Sequence, residues 1–296
     1  MDWLDRMNLA LSYIEEHLDG EIDVKQLAQI TCHSVSNLQR IFPILAEVSL
    51  SEYVRRRRLT MAAFELQNSN TKIINLAMKY GYESPEAFAR AFSAMHGIPP
   101  SSARSEGVTL KAYPRISFLL TLKGDVAMDY RIETREAFSV YGIEEIFTTE
   151  NQENLKALPK FWENVMEDGR YDQLAASTGM QEGDQGELCL INAICDYRNT
   201  EGSAFPYMLF AFLTPKSKAD GYAQVIVPQA TWAVFRSLKH SIDTTPASVQ
   251  GLFRRIYSEW LPNAPYEKVE GYEMELYYGA GDQYHEEIWI RVTPKK

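Results

Sequence analysis

Apolar residues recur at spacings of three and four through the first third of the chain and at every second position in much of the rest. Leu4, Met7, Leu11, Ile14 and Leu18 fall on one side of a 3.6-residue period, which predicts a helix that Gly20 ends. Asp23 and Gln26 are spaced as a capping box before a helix from Val24 to Thr31. Ser34 is placed to cap the next helix, which carries Val35, Leu38, Ile41 and Phe42. A longer helix is predicted from Ser51 to Leu66, and another from Lys72 to Met78. Pro85 suits the first turn of another helix, which Gly97 closes before Pro99-Pro100.

After Gly107 the period changes to two. Alternating runs span Ile116 to Leu122, Tyr130 to Phe138, Leu188 to Tyr197, Tyr207 to Leu213, Val225 to Phe235, Tyr272 to Tyr278 and Glu287 to Val292. Helical stretches from Leu155 to Met166 and from Ala247 to Trp260 interrupt them. The order is strand, helix, strand, strand, and then the same again. This predicts an α+β domain of two similar halves. The fold class is therefore multi-domain, an all-α domain over 1–107 followed by an α+β domain over 108–296.

Composition changes this picture only in part. The net charge of −10 argues against nucleic acid when taken alone. Residues 1–107, however, hold 11 Lys/Arg against 13 Asp/Glu, while the remainder holds 19 against 27, so the acidity sits mainly in the second part. The basic run Arg55-Arg56-Arg57-Arg58 lies in the first. Cys32, Cys189 and Cys195 have no zinc or redox spacing, so no metal or cofactor is expected. The start, Met1-Asp2-Trp3-Leu4-Asp5, lacks signal-peptide character, and the longest apolar run, Tyr207 to Leu213, is too short for a bilayer. The expected setting is the cytoplasm, without a membrane partner.

Two helix pairs, Val24–Phe42 and Lys72–Phe92, have the spacing of helix-turn-helix motifs, in which the second helix enters the major groove. If Leu38, Ile41 and Phe42 pack inward, then Ser36, Asn37, Gln39 and Arg40 point outward. If Phe88, Ala91 and Phe92 pack, then Glu86, Ala87, Arg90 and Ser93 remain outside. Arg reads guanine, Gln adenine and Glu cytosine by the hydrogen-bonding pattern of their heads. Glu86 and Arg90 are also four apart and able to pair. Four consecutive arginines sweep around a helix, so only some can face DNA; Arg55 and Arg56 are the candidates for phosphate contact.

The strings SNLQRIF, AMKYGYESPEAFARAF and HGIPPSSAR resemble the AraC/XylS family of bacterial transcription activators. Ala77, Gly81, Tyr82, Ser84, Phe88, Arg90, Phe92, Gly97, Pro100 and Arg104 carry the match. The resemblance implies double-stranded DNA and RNA polymerase as partners. It places base-reading positions at Ser36, Gln39 and Arg40 and at Glu86, Ala87 and Arg90, and gives Arg58 an internal salt bridge. Glu47 departs from it, standing where the family has a glycine, which implies strain if that backbone is left-handed. Pro43 is a second departure and is expected to shorten its helix.

In the second part, Glu273, Glu275 and Tyr277 share one face of a strand; Glu287, Trp289 and Arg291 share one face of another. If the strands pair with these faces together, two carboxylates and large aromatics gather on one surface. That surface is either an exposed sheet face or a pocket for a greasy cation. VIVPQATWAVF, EWLPNAPY, YEMELYY and EEIWIRV resemble the GyrI-like effector-binding domain. That resemblance implies paired strand–helix–strand–strand units with a central cleft, which takes a lipophilic, often cationic small molecule at a buried glutamate among aromatics. Glu275 matches that glutamate, and Tyr277, Glu287, Trp289, Trp162 and Trp232 are the other candidate lining residues. The expected function is a ligand-responsive, sequence-specific transcription regulator with no catalytic residues. The alternatives are a GyrI-like hydrolase activity, or a C-terminal domain that serves only protein contacts.

Overall fold

A computed structural model of the chain describes residues 3–118, 127–280 and 282–295. Its residues form two compact units, Met1–His33 with Ala46–Leu119, and Ser34–Leu45 with Leu120–Lys296.

The first unit holds helices α1 (Trp3–Glu16), α2 (Val24–Thr31), α4 (Leu50–Asn68), α5 (Ile73–Lys79) and α6 (Pro85–His96); α3 (Val35–Ala46) is treated with the second. Asp23 accepts from the amides of Lys25 and Gln26, Ser49 from Glu52 and Ser84 from Ala87, so each of these helices starts on a satisfied turn. Gly97 closes α6 at φ 80°. Leu59, Ala62, Leu66, Leu76, Ala77, Phe88 and Phe92 make a core between α4, α5 and α6. The arginine run distributes differently from expectation. Arg57, not Arg58, makes the internal salt bridge, to Glu15 at 2.7 Å. Arg58 instead donates to the carbonyls of Leu18 and Gly20 at the end of the first helical segment. The difference is rotational, since neighbouring positions on a helix point about 100° apart. Glu47 does adopt the left-handed backbone, at φ 57°.

The second unit is built on an antiparallel sheet. Its strands are β1 (Asp129–Arg135), β2 (Phe138–Thr148), β3 (Asn192–Cys195), β4 (Ala204–Phe212), β5 (Ala223–Val227), β6 (Ala230–Arg236), β7 (Tyr266–Lys268), β8 (Glu273–Ala280) and β9 (Gln283–Pro294). Helices α7 (Glu153–Glu167), α8 (Arg170–Ser177) and α9 (Thr245–Arg255) connect them. The spatial order is β1-β6-β9-β8-β3-β4-β2-β5, with β7 added beside β9. The expected repeat is present: β2-α7-β3-β4 and β6-α9-β8-β9 each place their first strand beside their last, and the two units meet at β3 and β8. Two runs read as single strands are each split. Tyr130 to Phe138 divides into β1 and β2, and Val225 to Phe235 into β5 and β6 at Pro228, which has no amide to donate to a ladder. The short first strands are exchanged, so that β1 pairs with β6 and β5 with β2. The run from Ile116 reaches beyond the described residues; 116–118 form no strand.

Along the strands, side chains alternate between two cores. Tyr141, Phe147, Phe205, Tyr207 and Leu209 pack with Phe161 and Val165 of α7 and Leu174 of α8. Val140, Met208, Phe210, Trp232, Val234, Met274, Leu276 and Trp289 make up the other. Gly142 lets β2 approach β4: a Cβ there would lie 1.9 Å from the Leu209 carbonyl oxygen.

Candidate effector cleft and recognition helices

The register of β8 and β9 decides which predicted residues share a surface. Glu275 lies opposite Ile288, and Met274 opposite Trp289. Directly opposed residues share a face, so Glu287 and Trp289 sit on the far side of the sheet from Glu275 and Tyr277. The sequence expectation had paired them. The structure is offset by one residue, which is enough to exchange faces. Glu287 is held by both terminal nitrogens of Arg131, by the Tyr278 hydroxyl at 3.0 Å and by Trp289 Nε1 at 3.1 Å. Trp289 and Trp232 are core residues, 1% and 0% exposed, with ring centres 5.9 Å apart. Neither tryptophan nor Glu287 lines a cleft with Glu275.

The remaining predicted residues do converge. Tyr277 donates from its hydroxyl to Glu275 at 2.6 Å. Trp162 packs edge-on to Tyr277, ring centres 5.6 Å apart, and donates from Nε1 to the Tyr207 hydroxyl at 2.9 Å. Burial raises the Glu275 carboxyl above its ordinary range, and the Tyr277 bond only partly offsets this. Burial among these aromatic rings thus favours the uncharged form of the carboxyl, and a cation beside it would favour the charged form. Tyr207 was missed because β4 is apolar on both sides, leaving no alternation to distinguish it.

Beside this box lies a second polar group that the sequence did not reveal, because its members are far apart along the chain. Cys195, Asp196 and Glu273 bring their heteroatoms within 4.8 Å of one another. Lys268 Nζ contacts Glu273 at 2.8 Å and the Tyr257 hydroxyl donates to it at 3.0 Å. Helix α3 supplies the rest. Arg40 donates from Nη1 to Asp196 at 2.9 Å and from Nη2 to Glu273, and Asn37 Nδ2 donates to Glu273 at 3.0 Å. Burial alone would push the Glu273 carboxyl up, but Lys268 and Arg40 together hold it well below the usual range. Asp196 and Tyr272 both take left-handed backbone, φ 55° and 58°, and the Tyr272 amide donates to the Asp196 carbonyl at 3.2 Å.

The outward expectation for α3 is therefore corrected. Ser36 and Asn37 are 4% and 0% exposed, Arg40 points into the C-terminal sheet, and Gln39 accepts from the Thr149 hydroxyl. Pro43 does not shorten the helix, which runs on to Ala46. On α6 the outward expectation holds, with Glu86 and Arg90 exposed and Ala87 half-buried; no ion pair joins Glu86 to Arg90 among the described residues. Arg55 and Arg56 both engage Glu52, at 2.7 and 2.6 Å, so phosphate contact must compete with that carboxylate.

Capped helix pairs and a two-fold strand–helix sheet with a polar, aromatic cleft define a class: a DNA-binding protein with an attached effector-binding module. Comparison with known proteins agrees. The Cass2 family, described as integron-associated effector binding protein, matches residues 131–292, and a helix-turn-helix domain family matches 27–106. The chain is 39% identical over 94 residues to the HTH-type transcriptional activator AarP of Providencia stuartii, spanning 32% of this chain and 70% of AarP. It is 34% identical over 94 residues to the regulatory protein SoxS of Escherichia coli K12, spanning 32% of this chain and 88% of SoxS. The Vibrio cholerae integron cassette protein VCH_CASS2 is similar in structure at 17% identity and TM-score 0.39, over 55% of this chain and 95% of that one. The chain belongs to the Cass2 effector-binding family and is an AraC-type transcription regulator. No helix among its described residues is long and apolar enough to cross a membrane.

Proposed function

We propose that the cleft at Glu275 binds a lipophilic cation and that its occupancy alters transcription through RNA polymerase at the bound promoter. Residues 1–107 carry the DNA contacts and 108–296 the effector. The observation that supports this reading is a buried carboxyl beside Trp162, Tyr207 and Tyr277, with a raised proton affinity and, among the described residues, one bond donor, the Tyr277 hydroxyl. Ring faces and one carboxylate attract a delocalised cation over a neutral molecule of the same shape.

Calorimetric titration with tetraphenylphosphonium, and with neutral triphenylphosphine oxide as control, tests it. Glu275→Gln keeps the shape and removes the charge. It should weaken the cation by about tenfold or more, on the order of 1.4 kcal/mol, and leave the neutral control unchanged. Equal cation affinity in both proteins would refute the assignment. Turnover of an ester probe by the wild type would instead favour a hydrolase. For DNA, Arg90→Ala should cost about 1–3 kcal/mol on a selected duplex and relax one base position, whereas Arg56→Ala should weaken all duplexes alike.

A further inference from the structure

Arg40 sits in the effector cleft as a ligand would. Its Nη1 and Nη2 are divided between Asp196 and Glu273, its Cζ lies 5.2 Å from the centre of the Phe205 ring, and Nη1 also touches Cys195 Sγ at 3.0 Å. Two carboxylates arranged for the two arms of a planar fork, with an aromatic ring alongside, suit a guanidinium better than an ammonium.

Space points the same way. With Arg40, Ile41 and Ile44 in place, the cavity they share with Leu158, Phe253 and Glu275 is about 60 Å³. A drug-sized ligand needs a pocket of about 300–1,000 Å³. The other walls of the cavity come from the sheet and from the helices that connect its strands. Helix α3 differs, since the chain up to His33 and from Ala46 belongs to the other compact unit. Its seat is also incompletely satisfied: Asn37 Oδ1 is buried without a hydrogen-bond partner among the described residues, and an unmatched buried acceptor weakens the seat.

We propose that Asp196 and Glu273 form a seat for a planar cation, that Arg40 occupies it when no effector is bound, and that an amidinium or guanidinium carried on an aromatic body displaces Arg40 and frees α3 to read DNA. The inference rests on the effector reading of the Glu275 cleft and deepens it. One residue then serves two incompatible roles, latch and base reader. Effector and DNA therefore reinforce each other, since each binds the form in which Arg40 has left its seat.

The probes are benzamidine, with benzylamine and benzamide as controls, and the protein is the full chain. DNA affinity is measured by fluorescence anisotropy on a duplex selected from random sequence. Benzamidine should raise it by about 5- to 150-fold, benzylamine less and benzamide not at all. Asp196→Asn, which tolerates the left-handed backbone, should raise DNA affinity without ligand and abolish the benzamidine response. A second measurement does not depend on that variant folding. Gln39→Cys with Thr149→Cys, in a Cys32→Ser background, is crosslinked by a short bismaleimide, and benzamidine should lower the yield. Benzamidine that binds by calorimetry but moves neither readout overturns the inference and leaves the cation cleft standing. So does inert benzamidine alongside Glu275-dependent binding of tetraphenylphosphonium. If neither cation binds, both readings fail.

Discussion

Arg57→Ala should be among the most damaging single changes to the helical unit. The guanidinium donates to Glu15 three times, at 2.9, 3.2 and 2.7 Å, and to the Tyr113 carbonyl at 2.6 Å. The two side chains are 10% and 13% exposed. Removing one partner of a buried pair costs about 3–5 kcal/mol, because the other charge is left in a poor solvent. Glu15 keeps the Tyr53 hydroxyl at 2.7 Å and some water, so about 2–4 kcal/mol is expected. For a unit of this size that lowers the melting temperature by on the order of 10–20 °C. The pH dependence supplies a second check. Burial would raise the Glu15 carboxyl, but the bonds from Arg57 and Tyr53 outweigh it and hold the group below its ordinary value. Its contribution is therefore present above the unfolded-state pKa and is lost as pH falls through the depressed folded one. In Arg57→Ala that acid loss should begin at higher pH. Circular dichroism melts between pH 3 and 7, with Glu15→Gln and the double variant, give the coupling energy. A loss below about 1 kcal/mol at pH 7 with an unchanged acid limb would refute the reasoning, since a surface pair is worth no more.

Other expectations follow from the second unit. Gly142→Ala should destabilise it severely, because the new methyl meets the Leu209 carbonyl backbone rather than a side chain able to rotate away; an unchanged thermal midpoint would contradict this. Trp162→Phe should weaken tetraphenylphosphonium, whereas Trp289→Phe should lower stability and spare the ligand, as read by calorimetry and thermal melts; the reverse pattern would restore the face assigned from sequence. Cation affinity should rise with pH above the ordinary carboxylate range, because burial raises the Glu275 carboxyl and binding must release its proton. By the same sign, protonated Glu275 favours the unliganded fold at low pH, and that contribution is lost as pH rises through the raised pKa. Proton release measured in two buffers of different ionisation enthalpy should vanish in Glu275→Gln.

Local chemistry was legible in the chain itself. Capping residues, the 3.6-residue period and Gly97 located the helices, because those signals act within a few residues of one another. The strand–helix–strand–strand repeat and the convergence of Glu275 with Tyr277 were legible too, since two residues two apart on a strand must share a face. Register was not legible. A strand carries alternation but not the identity of its opposite number, so Trp289, Glu287 and Trp232 were grouped with a face they do not occupy. Only the tertiary structure brought Asp196 and Glu273 together, since no local pattern links positions so distant. It also gave Arg40 its partner. In sequence Arg40 is one outward position on a recognition helix, and its helical period says which side it faces. What lies on that side depends on Asp196 and Glu273, more than a hundred residues later, whose carboxylates Arg40 pairs alongside Lys268.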